Sequence, residues 1–172
     1  TLKVAPGKSV LLDVPSGREG DYRVVIDYLP PGGKRGLPLA LFGEVVKGSL
    51  EAFQLSFSSM ETIDLRKMHQ SEREKKETLR NRLREFEALG NGVVIAHIDQ
   101  GAYVPELNIP HISPVGAYDD HADRVTVLDV DAYQSGPYSI PFDRFYWGIS
   151  KWYPLPFRFF GLSNGGYVYI SL

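Results

Sequence analysis

The chain has 172 residues, 43% hydrophobic and 23% charged, and its 19 basic and 21 acidic residues leave a formal net charge of −2. That balance lacks the positive excess that grips a phosphate backbone, which excludes nucleic acid as an expected partner. There is no cysteine, so disulfides cannot form, and the apolar runs, broken by Pro, Gly and charge, fall short of the roughly 20 residues that span a bilayer.

A chain of this length buries roughly two thirds of its unfolded surface, enough for one domain without cross-links, and residues 1–172 are read as one. The start at Thr1-Leu2-Lys3-Val4 carries neither an initiator Met nor a signal pattern. It is read as the mark of a chain that is processed, trimmed or expressed as a fragment, and the compartment stays unread.

Residues 9–14 and 22–29 are rich in β-branched and aromatic side chains and flank a turn-prone stretch, so two strands are expected there. Residues 30–36, Pro-Pro-Gly-Gly-Lys-Arg-Gly, make a loop. A short helix is expected from about Pro38 to Lys47, with Leu39, Phe42, Val45 and Val46 on one face. The pattern from Thr62 to Leu89 reads as helical in two pieces, the first stopping near Gln70. The second is introduced by Ser71 with Glu74 three residues on, a capping box, and closed by Gly90. The alternating charges of 71–76 fit a solvated helix face.

Beyond Gly90 four strand-like runs follow, Val93–Ile98, Ile112–Tyr118, Val125–Val130 and Tyr167–Leu172, with 118–124 as a hairpin connection. Helices followed by an antiparallel sheet make an α+β fold.

Of the four histidines, His69 at a polar helix end and His121 in an exposed turn suit surface roles. His97, inside a strand, suits a hydrogen-bonded structural role. His111 opens a strand that a hairpin joins to a second strand bearing Asp129 near its end. Antiparallel neighbours bring the start of one strand beside the end of the other, so His111 and Asp129 are expected to meet as a base and its orienting carboxylate. The aromatic residues from Phe142 to Phe160 are expected mainly in the core. If some are exposed, Trp152-Tyr153-Pro154 and the Pro-rich stretch after it is the expected docking surface.

The run His111-Ile112-Ser113-Pro114-Val115-Gly116-Ala117-Tyr118, followed by Val125-Thr126-Val127-Leu128-Asp129-Val130, resembles the phytochelatin synthase signature, in which His-Phe-Ser-Pro-Ile-Gly-Gly-Tyr precedes a Leu-Ile-Leu-Asp strand. Similarity extends through Leu50-Glu51-Ala52-Phe53, Thr62–Lys67, the strand at 93–98, Pro141-Phe142 and Gly166–Ser171, so it covers about residues 36–172, with 1–35 divergent. The resemblance implies a papain-like fold. A cysteine at a helix N-terminus would attack a glutathione-like thiol peptide and release glycine, and the acyl group would pass to another glutathione or to water. On this resemblance His111 is the general base and Asp129 its orienter.

The departure lies upstream, where the family's Cys-bearing segment is expected and this chain offers no cysteine. Ser9 stands at roughly the right distance but is a poor substitute, since a hydroxyl lacks thiol acidity. Gly7-Lys8-Ser9 lacks the first Gly of a phosphate-binding loop. The cysteine is expected to have been cleaved away or truncated with its segment, to come from another chain, or to have been lost in a catalytically inactive module that uses the fold to bind a peptide or protein. No cofactor is implied, and the histidine spacing gives no metal site.

Overall fold

The computed structural model describes residues 37–130, 136–153 and 165–172, together with the backbone of two short segments, 3–4 and 27–28. Those two segments, β1 (Lys3–Val4) and β2 (Asp27–Tyr28), pair in parallel. The expected strand at 9–14, the loop at 30–36 and Ser9 lie outside the described residues, as does the expected strand at 22–29 apart from β2.

Among the described residues the architecture is α+β, with three α-helices and a six-stranded antiparallel sheet in the order β3-β8-β4-β5-β6-β7. Helix α1 (Leu39–Ala52) starts where the sequence places it and runs five residues further than expected, to Ala52. It turns Leu39 and Phe42 towards Val168 and Ile170 of strand β8 (Gly166–Ser171). Strand β3 (Ser59–Ile63) pairs along β8, from Ser59↔Ser171 to Ile63↔Tyr167. This corrects the expected helix over 62–70. The segment is an edge strand followed by a turn, in which Asp64 Oδ1 accepts the Arg66 amide at 3.0 Å. Its partner lies at the far end of the chain, so no local periodicity could announce it.

Helix α2 (Glu72–Leu89) has the ends the sequence announces. The Ser71 hydroxyl accepts from the Glu74 amide, the Glu74 carboxylate accepts from the Ser71 amide, and Gly90 closes the helix with φ 61°. A left-handed residue at that position favours glycine. Leu79 and Leu83 bury its apolar stripe.

Strand β4 (Gly92–Asp99) lies at the sheet centre between β8 and β5 (Pro110–Asp119). Strand β5 turns through the 118–124 hairpin into β6 (Arg124–Val127), and β7 (Tyr138–Pro141) completes that edge. Strand β6 is shorter than expected, ending at Val127 rather than Val130. Helix α3 (Phe142–Ser150), which the sequence reading treats only as an aromatic cluster, buries Phe142, Phe145, Tyr146 and Ile149.

Alternation along the strands sorts the core into two layers. Helices α2 and α3 cover one face with Val94, Ala96, Ile98, Val115, Val125 and Val127. Helix α1 covers the other with Val93, Ile95, Ile112, Val168 and Ile170.

Candidate functional site

The site is set by the junction of β4, β5 and the segment leaving β6. Ile98 pairs with His111, so the end of β4 lies beside the start of β5. The β5–β6 ladder runs regularly from Asp119↔Arg124 to Ala117↔Thr126, then shifts by one residue to Val115↔Val127. A one-residue slip exchanges the faces on which side chains emerge. Here it matters chemically. The shifted register continues as the Leu128 amide donates to Pro114 O at 2.9 Å, which brings Asp129 level with Ser113 on the face that also carries His111. An unshifted ladder would set Asp129 level with Pro114, on the opposite face.

His111 Nε2 and Asp129 Oδ1 are 2.8 Å apart, with the aspartate side chain fully buried and the imidazole 18% exposed. An ionised carboxylate only accepts hydrogen bonds, so Nε2 carries the hydrogen and Nδ1 of the neutral ring is the basic nitrogen. The carboxylate's second oxygen, Oδ2, accepts from Gln100 Nε2 at 3.1 Å. Tyr103, whose hydroxyl lies 3.3 Å from Ser113 Oγ, adds a phenol whose pKa is pushed well up by burial and also by Asp129, so it stays protonated.

Gln100 and Tyr103 belong to a 3-10 turn (Gln100–Ala102) and the residue after it. Asp99 shapes the turn by accepting the Gly101 amide at 2.8 Å, and its other oxygen meets Lys151 Nζ at 2.7 Å. Neither Gln100 nor Tyr103 stands out in the sequence as a site residue. The available signal was the register of β4 against β5, because a strand ending beside His111 delivers its next residues to the same place.

The other histidines fall elsewhere. His69 and His121 are exposed in irregular segments. His97 is buried on the α1 face, its Nε2 2.9 Å from Leu37 O, and burial lowers its pKa. Among the aromatics, Phe142, Phe145, Tyr146 and Tyr153 are buried, whereas Trp147 and Trp152 are 38% and 42% exposed. Pro154, Phe157, Phe159 and Phe160 lie outside the described residues.

An open groove of about 840 Å³ runs between α1 and β3, lined in part by Leu39, Gly43, Lys47, Met60 and Met68, and includes neither His111 nor Asp129. No cluster of three or more metal-ligating side chains occurs among the described residues, and no described helix is long and apolar enough to cross a membrane.

A family model described as phytochelatin synthase matches residues 44–152, a span that contains His111, Asp129, Gln100 and Tyr103. A search of curated proteins returned no match.

Proposed function

We propose, from the premise that this chain belongs to the phytochelatin synthase family, that it is a single papain-like domain carrying the base half of a thiol peptidase or γ-glutamylcysteine dipeptidyl transpeptidase. The substrate would be a glutathione-like thiol peptide, free or as a metal thiolate. The observation that carries the reading is the 2.8 Å contact between a fully buried Asp129 carboxylate and a partly exposed His111 imidazole. In this role His111 Nδ1 takes the proton of a cysteine thiol, and Asp129 stabilises the imidazolium. The thiolate attacks the carbonyl of the cysteinyl-glycine bond, and glycine leaves carrying the proton returned by His111. The thioester left behind is then cut by the amino group of a second peptide or by water.

The thiol itself is not among the 172 residues. That observation favours a second reading, a binding or regulatory module with the fold but without the covalent step. The test is to isolate the protein from its native source and determine its intact mass and that of any tightly bound partner. Release of glycine from glutathione is then measured. A cysteine-bearing polypeptide in the active preparation, with glycine release abolished by His111→Ala, supports the enzyme. A preparation that binds glutathione-like peptides, contains no cysteine and releases no glycine supports the module.

A further inference from the structure

We infer that Gln100 is a positioning residue, which fixes the carboxylate of Asp129 so that one oxygen faces His111. The inference rests on the proposed reading of His111 and Asp129 as base and orienter. Gln100 is fully buried, and its side-chain amide donates to Asp129 Oδ2 at 3.1 Å while Oδ1 meets His111 at 2.8 Å. The two oxygens are thus held from two different elements, which sets the plane of the carboxylate and not merely its location.

The orientation of the amide follows from its partner, because a flipped amide would set its oxygen against a carboxylate oxygen. The remaining amide oxygen, Oε1, is buried without a hydrogen-bond partner among the described residues. A half-satisfied buried amide is costly, and an apolar side chain of the same shape would fill the space at lower cost. The position therefore keeps its amide for the donor.

The backbone of Gln100 is anchored as well. Its amide donates to Ile109 O at 3.0 Å, and its carbonyl accepts from the Tyr103 and Val104 amides at 3.1 and 2.9 Å. Arg144 reaches the next carbonyl, Gly101 O, at 2.9 Å. The donor is thus presented from a fixed turn. Among the described residues, the ionisable groups facing Asp129 include His111 of β5 and Tyr103 after the turn, and the ring of Tyr138 of β7 lies tilted against Tyr103 at 5.0 Å.

The experiment is 15N spectroscopy of the imidazole rings in the full 172-residue chain, whose four histidines keep the spectrum simple. The readout is the ratio of Nε2-protonated to Nδ1-protonated neutral His111, which a role confined to packing would not move. Gln100→Met, close in shape but without the donor, should lower that ratio roughly fivefold, the scale of one lost hydrogen bond. Asp129→Asn should lower it at least as far. Gln100→Asn, which withdraws the amide by one methylene, gives the same expected loss and serves if the methionine form does not fold. An unchanged ratio in the folded Gln100 variants, with a loss in Asp129→Asn, overturns the role of Gln100 and leaves the pair standing. A ratio indifferent to Asp129→Asn as well removes the pair, and the role of Gln100 falls with it.

Discussion

Two histidines on adjoining strands of one sheet have opposite surroundings. His97 on β4 faces α1, is almost fully buried, and gives its Nε2 hydrogen to a neutral backbone carbonyl, Leu37 O. His111 on β5 faces the α2–α3 side, is partly exposed, and gives its Nε2 to a carboxylate. Both partners can fix a tautomer, but the carboxylate brings a full negative charge and the carbonyl only a dipole. At His97 burial outweighs the upward pull of the Leu37 carbonyl, and the pKa is lowered. The same side chain thus becomes a packing element on one face and a candidate base on the other.

The largest effect that would break this comparison is catalytic. In a preparation that carries the nucleophile, Asp129→Asn should reduce kcat by roughly 10³ to 10⁴-fold, while His97→Gln should leave kcat within about tenfold. Comparable losses from both, in folded protein, would erase the distinction. The next effect is on stability. Phe145 is fully buried in the layer beneath the site, and Phe145→Ala should cost about 3–5 kcal/mol in urea denaturation. Phe42 lies in the α1 layer and is 6% exposed, so Phe42→Ala should cost about 3 kcal/mol, the low end of the range.

Much of this was legible locally. Ser71 with Glu74, and Gly90, announce both ends of α2 because capping is a short-range matter. His111 and Asp129 were legible as a pair because a hairpin sets which residues are neighbours. The hairpin alone does not set their common face, however. From Asp119↔Arg124 alone, Asp129 falls level with Pro114 and on the wrong face, and only the shift between Val115 and Ala117 returns it to the side of His111. What the sequence concealed is what depends on distant partners. Residues 59–63 become an edge strand through pairing with 167–171. Gln100 gains its role from a carboxylate 29 positions away.

A third effect separates the histidines by pH. The folded pKa of His97 is lowered, chiefly by burial, while the unfolded value is about 6.5. Below pH 6.5 the unfolded chain binds a proton that folded His97 refuses, so stability that is fully present above this pH declines as the pH falls towards the folded pKa. The slope from one such group is at most about 1.4 kcal/mol per pH unit. Urea denaturation at pH 7.0, 6.0 and 5.5 should show this decline in the native chain and a shallower one in His97→Gln. An equal slope in both would remove His97 as its source.

The smallest effect tests what places Asp129 on the His111 face. A methyl group at Gly116 would lie 2.8–3.1 Å from the side chain of Leu128, the residue before Asp129. Leu128 is 40% exposed, so it can swing towards solvent, and Gly116→Ala should cost only about 1 kcal/mol, the low end for overpacking. The register shift is held by the Leu128 amide on Pro114 O and by Val115↔Val127, both indifferent to a methyl group at 116. The His111 tautomer ratio should therefore stay as in the native chain while the urea midpoint falls slightly. A lost tautomer preference at unchanged stability would mean that the glycine itself, and not the ladder on either side of it, keeps the carboxylate in reach of His111.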